Sequence, residues 1–182
     1  VPEPYELPEE LRAKMQPGDK LIFLSMGSMG SIDVDLMKRV TSALANSPHK
    51  YIVSKGPRGA EYELPVNMWG DNFLPQTSIL PLVDLVICHG GNNTTTETIF
   101  AGKPMIVMPL FADQFDNAQR VHEVGLGVRL EPYHFEPEEL VKTMDRVLND
   151  EETRRRVEQA SKRISTSNSK ELACIAIEAL VN

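Results

Sequence analysis

Cysteine is nearly absent from this 182-residue chain: Cys88 and Cys174 provide neither a disulfide framework nor metal-ligand spacing. Cys88 sits in an apolar run and reads as a buried strand thiol. Basic charge is also short. Nineteen Lys and Arg against 26 Asp and Glu leave a net charge of -7, which argues against a nucleic-acid or anionic-membrane binder. Any phosphate held here is therefore held by main-chain and neutral polar groups. No apolar run approaches the ~20 residues of a membrane-spanning helix. The start, Val1-Pro2-Glu3-Pro4, is acidic and proline-broken, unlike a signal peptide. Read alone, the chain is expected to be soluble. His49, His122 and His134 have no partners at ligand spacing and read as structural or surface residues. No G-x-S-x-G elbow accompanies His89-Gly90-Gly91, so an esterase reading fails.

What is present is 41% hydrophobic sequence, enough for one well-buried domain, organised around Leu85–Glu97. Leu85-Val86-Ile87-Cys88 is a short apolar run that reads as a buried parallel strand. It enters His89-Gly90-Gly91-Asn92-Asn93-Thr94-Thr95-Thr96, and a helix-like segment follows over Glu97–Gly102. Two glycines and three β-branched threonines are poor helix material, and such a local conflict marks a site. Glycine allows close approach of the main chain to a ligand, and the start of a helix offers free N–H groups to an anion.

Strands and helices alternate on both sides of this unit. Strands are predicted at Leu21–Leu24, Tyr51–Val53, Val66–Trp69, Met105–Met108 and Gly127–Leu130. Helices are predicted at Val34–Ala45 (N-cap Asp33), Asp116–Val124, Glu136–Asn149, Glu151–Ser165 and Lys170–Val181. The alternation implies an α/β fold: a Rossmann-like parallel sheet with helices on both faces. Residues 1–18, proline-rich and charged, read as a linker or lead-in with a short helix at Pro8–Met15, outside the core; residues 19–182 form the domain. Ligands of such sheets sit beyond the carboxyl ends of the strands, which singles out the loops Ser25–Gly30, His89–Thr96 and Leu110–Asn117.

Bland readings compete at each position. Asp33 and Asp35 are spaced like a metal-binding carboxylate pair, but capping explains both. Ser25–Gly30 lacks the glycine pattern and the Lys-Ser/Thr ending of the known phosphate loops and matches an ordinary βα turn. His89 faces the predicted anion site, and function is favoured over a satisfied core histidine. Glu97 fits a first-turn carboxylate or a bidentate grip on a vicinal diol. Asp113-Gln114 fits a helix cap with a solvated neighbour, or a donor–acceptor pair for sugar hydroxyls.

Four blocks in fixed order carry a resemblance: Phe73-Leu74-Pro75-Gln76, His89–Glu97, Gly102-Lys103-Pro104-Met105 and Pro109–Gln114. Together they resemble the nucleotide-sugar signature of family 1 glycosyltransferases, the UDP-glycosyltransferases. The signature covers Phe73–Gln114, with looser similarity from Leu21 to Leu130. The resemblance implies the C-terminal, donor-binding half of a two-domain GT-B fold. It implies that Phe73 stacks on the uracil, where the family usually has tryptophan, and that the Leu74 main chain reads the base edge. Gln76 and Glu97 match the ribose contacts. His89, Asn93, Thr94 and main-chain N–H groups from Gly91 onward match the diphosphate contacts. Ser28 matches a serine reaching the phosphates, and Asp113 and Gln114 the pair holding the transferred sugar. Asn92 stands where plant members have tryptophan, so that residue's sugar contact does not transfer.

The implied reaction is inverting transfer of a hexose, glucose in the leading reading, from a UDP-sugar co-substrate to a small lipophilic acceptor, without cofactor or metal. The implied partners are UDP-sugar, the acceptor and an N-terminal acceptor-binding domain carrying the general base; no nucleic acid is among them. No catalytic residue falls in this chain, so it is expected to bind donor but transfer poorly by itself. Animal members carry a C-terminal membrane anchor, so a whole protein could be cytoplasmic or anchored in the endoplasmic reticulum. The alternatives are the donor subunit of a two-chain N-acetylglucosaminyltransferase and a non-catalytic nucleotide-binding module.

Overall fold

The computed structural model describes residues 4–181. In chain order the elements are α1 (Glu9–Arg12), β1 (Leu21–Ser25), α2 (Gly27–Gly30), α3 (Val34–Leu44), β2 (Lys50–Ser54), β3 (Met68–Asp71), α4 (Gln76–Ile79), β4 (Leu85–Cys88), α5 (Asn92–Phe100), β5 (Met105–Val107), α6 (Gln114–Glu123), β6 (Gly127–Arg129), α7 (Pro137–Asn149), α8 (Glu151–Ser165) and α9 (Ser169–Val181). Short 3₁₀ turns sit at Gly59–Glu61 and Leu80–Leu82. All six strands are parallel, in the order β3-β2-β1-β4-β5-β6. That order reverses direction between β1 and β4, which opens a crevice there beyond the strand ends.

Both faces of the sheet are covered. Because side chains alternate along a strand, Ile22, Leu24, Tyr51, Val53, Leu85, Ile87 and Ile106 join α3 and α7 in one core layer. Leu21, Phe23, Ile52, Val86, Cys88, Met105 and Val107 join α6 and the Ile79–Leu80 turn in the other. Cys88 is fully buried, and desolvation pushes its thiol up to about 12, so it packs as an inert apolar group. Asp33 caps α3 as expected, its carboxylate accepting from the Leu36 amide at 2.9 Å, a contact worth about 1 kcal/mol.

The structure alters three expectations. The lead-in is not outside the core: Leu11 of α1 is fully buried in the second layer, and Tyr5, Leu7 and Met15 pack against that layer. Helix α5 begins at Asn92, five residues before the predicted start, so the threonines lie inside it. Thr96 Oγ1 returns to Asn92 O at 2.8 Å and the following Thr98 Oγ1 to Thr94 O at 2.6 Å, while Thr94 Oγ1 lies 3.4 Å from Gln76 Nε2 and Thr95 Oγ1 is buried without a hydrogen-bond partner among the described residues. This back-bonding is how hydroxyl side chains are accommodated within a helix. Helix α6 likewise begins at Gln114, before the predicted Asp116. At the other end of the chain, α9 leaves Leu172, Ile175, Ile177 and Leu180 exposed.

Candidate functional site

The crevice between β1 and β4 is a cleft of about 360 Å³, at the small end of the range of roughly 300–1,000 Å³ for ligand sites. Of the residues singled out from the sequence, Ser28, Phe73, Gln76, Asn93, Thr94 and Glu97 line it. They come from α2, from the loop after β3, from α4 and from α5, four separate segments gathered by the strand order. Phe73 is 71% exposed at the rim, a flat aromatic face open to a stacking partner. The Leu74 side chain packs into the second core layer, so its main chain is the part left for a ligand.

Two geometric facts define the inner end of the cleft. Gly91, the N-cap of α5, has no side chain to satisfy the helix's first amides, and no side-chain cap hydrogen bond reaches them among the described residues. Those N–H groups and the helix dipole together favour an anion. Next to them, Gln76 Nε2 donates to Glu97 Oε2 at 2.7 Å and lies 3.4 Å from Thr94 Oγ1. An amide and a carboxylate held side by side offer both a donor and acceptors to a diol.

His89 lies behind this wall. Its imidazole is held between Gly27 and Gly91: a Cβ at Gly27 would stand 2.6 Å from Cε1, and one at Gly91 would collide with Nε2. Burial pushes its pKa below the usual histidine value, opposed more weakly by the Ser25 main chain and the Asp113 carboxylate. Nδ1 is buried without a well-formed hydrogen bond. A neutral ring whose Nε2 edge lies beside Gly91 and the free amides is poised to gain from an incoming anion.

Asp113 and Gln114 lie apart from the cleft lining, at the start of α6. Gln114 is 4% exposed, and its Oε1 accepts from the amides of Leu110 at 2.9 Å and Phe111 at 3.1 Å. That carbonyl therefore shapes its own loop, while Asp113 is exposed beside it. Sequence reasoning missed Ser31, Ser54, Gly56, Asn72 and Thr77 in the lining. Ser54 ends β2 and Gly56 lies in the loop after it. The Pro/Gly content of that loop was visible, but its place beside β1 depends on strand order. Among the described residues, no group of three or more His, Cys, Asp or Glu is arranged to hold a metal ion.

A sequence profile of the family described as "UDP-glucoronosyl and UDP-glucosyl transferase" matches residues 3–166. An NDP-glycosyltransferase of Bacillus subtilis is 32% identical over 165 residues, which are 88% of this chain and 42% of that protein. A sterol 3-beta-glucosyltransferase of Candida albicans is 32% identical over 140 residues, 69% of this chain and 9% of that protein. Among solved structures, the glycosyltransferase of kitacinnamycin superposes with a TM-score of 0.83 at 23% identity, over 97% of this chain and 45% of that one. The calicheamicin glycosyltransferase CalG4 does so with 0.78 at 25% identity, over 90% and 42%. The chain thus spans less than half the length of these relatives. With the profile running through nearly the whole chain and the site lying at the switch point of the sheet, this chain belongs to the family of UDP-glucuronosyl and UDP-glucosyl transferases.

Proposed function

We propose that the chain is the donor-binding domain of an inverting, metal-independent glycosyltransferase that takes UDP-glucose as donor and a small lipophilic acceptor. The observation that carries this reading is the uncapped start of α5 facing a cleft that also holds the Gln76–Glu97 pair. The free amides take the diphosphate, the Gln76–Glu97 pair the ribose hydroxyls, and the exposed ring of Phe73 the uracil. Asp113, outside the cleft, is left for the sugar. Support comes from relatives named as sterol glucosyltransferases, and from the fold-mate VinC (22% identical, TM-score 0.71), whose structure is described as a complex with DTDP.

As UDP leaves, negative charge grows on its β-phosphate. The α5 amides and dipole, already oriented, stabilise that charge more in the transition state than in the ground state. His89 adds to this once protonated. Deprotonation of the acceptor hydroxyl requires a general base, assigned here to an acceptor-binding domain that pairs with this one, with α9 crossing toward it. By itself the chain binds donor and transfers little. Titration calorimetry with UDP, UDP-glucose, UDP-glucuronate and UDP-N-acetylglucosamine tests the reading. Binding of UDP with a preference for UDP-glucose among the sugars is expected; heat from none of the four would end it.

Binding is also expected to take up a proton. In the unliganded chain burial keeps His89 neutral, and a neighbouring diphosphate favours its charged form, so its pKa rises on binding. Affinity for UDP-glucose, whose phosphates have no second ionisation near neutrality, therefore increases as pH falls through the raised pKa of the bound ring toward its lowered unliganded value. Calorimetry in two buffers of different ionisation enthalpy reads the proton directly, and His89→Gln abolishes it. Equal heats in the two buffers for the unaltered chain would remove His89 from the phosphate site.

A further inference from the structure

We infer that Asn117 is a positioning residue that fastens the sugar-holding end of the site to its phosphate-holding end. Its Nδ2 donates one hydrogen bond to the Gly90 carbonyl at 2.9 Å and another to Asp113 Oδ2 at 3.1 Å. Both partners are acceptors only, so the orientation of the amide is dictated by its surroundings, and both of its N–H groups are engaged. No carboxylate or hydroxyl could make the same pair of contacts, because each offers at most one donor.

The two groups it joins come from different loops. Gly90 belongs to the turn after β4 and immediately precedes Gly91, the uncapped start of α5. Its backbone is left-handed (φ 86°), and a Cβ there would stand 2.7 Å from Val107 Cγ1 and 3.2 Å from the Gln114 carbonyl, so the turn is pressed against the start of α6. Asp113 comes from the loop after β5. That loop is held by the Gln114 carbonyl and contains Ala112, whose φ of 53° is the one left-handed value outside glycine among the described residues. The loop backbone is thus shaped without Asn117, but the Asp113 side chain is exposed and has Asn117 as its hydrogen-bond partner. The hydrogen-bonded link between the Asp113 side chain and the turn therefore runs through one amide.

The inference rests on the assignment of Asp113 to the sugar in the proposed function. It predicts that Asn117→Ala reduces the preference for UDP-glucose over UDP by about 10-fold, the scale of one hydrogen bond to a charged group. UDP alone should lose less. Because the residue acts through Asp113, Asn117→Ala should change that preference little in an Asp113→Ala background. The experiment is a double-substitution cycle read by calorimetry with UDP and UDP-glucose, with melting temperatures as a control. Asn117→Asp, equal in size but unable to bridge, serves where the alanine variant does not fold.

A second reading needs no sugar: NMR titration of His89 in the unliganded chain. Asp113 raises the His89 pKa, so releasing its carboxylate should lower it in both Asn117→Ala and Asp113→Ala. Equal weakening of both ligands, or a loss of preference that adds to that of Asp113→Ala, would overturn the inference. If the unaltered chain shows no preference for UDP-glucose, the sugar assignment fails. An unchanged His89 titration in Asn117→Ala would then separately refute the hold on Asp113.

Discussion

Replacing Glu97 by alanine should weaken UDP, UDP-glucose, UDP-glucuronate and UDP-N-acetylglucosamine alike, by roughly 10- to 100-fold. The size follows from losing hydrogen bonds to a charged acceptor, about 1.5–3 kcal/mol, and the uniformity from the ribose that all four share. Glu97 lines the cleft and accepts from Gln76 Nε2 at 2.7 Å. Its removal also frees the Gln76 amide, so Gln76→Ala should show part of the same loss. Glu97→Gln keeps the shape but not the charge and should fall between. Isothermal titration reads all of these. A Glu97→Ala chain that binds UDP as tightly as the unaltered one would detach the ribose from this pair.

Gly27→Ala should damage both the fold and the site. The position has φ 67°, where a side chain costs about 1–2 kcal/mol. Its Cβ would stand 2.6 Å from His89 Cε1 and 2.7 Å from Nε2. The imidazole cannot recoil freely, because Gly91 closes its other side. Overpacking of this kind adds about 1–3 kcal/mol, for a total loss of roughly 2–5 kcal/mol in urea unfolding. Gly18→Ala provides the control. It has φ 93° but open space around it, so only the conformational part, about 1–2 kcal/mol, should appear. Equal midpoints for the two variants would show that the contact with His89 is slack. Nucleotide affinity should fall in Gly27→Ala and not in Gly18→Ala, since only Gly27 lines the cleft.

Much of this protein is legible one segment at a time. Leu85–Cys88 is apolar at every position because it is buried on both faces, and a run of that kind states its own strand character. Asp33 announces the start of α3 through a contact three residues away. Element boundaries are hardest to read where side-chain hydrogen bonds compete with propensity. Thr94 and Thr96 look unsuited to a helix until Gln76 and the Asn92 carbonyl are seen to take their hydroxyls. Leu11 looks like linker because the surrounding charges and prolines mask one apolar side chain that the second core layer needs.

The amino-acid sequence by itself determined the alternation of strands and helices, the glycine turn after the central strand and the family, because each depends on residue types at short or fixed spacing. Only the tertiary structure decided the rest. The order β3-β2-β1-β4-β5-β6 places Ser54 and Gly56 across the cleft from Asn93 and Thr94. Folding also wedges His89 between two glycines, one of them far away in sequence, and lets Asn117 reach a carbonyl 27 residues earlier. The physical reason is the same in each case: periodicity and capping act within a few residues, whereas strand order and side-chain contact arise when segments distant in sequence pack against one another.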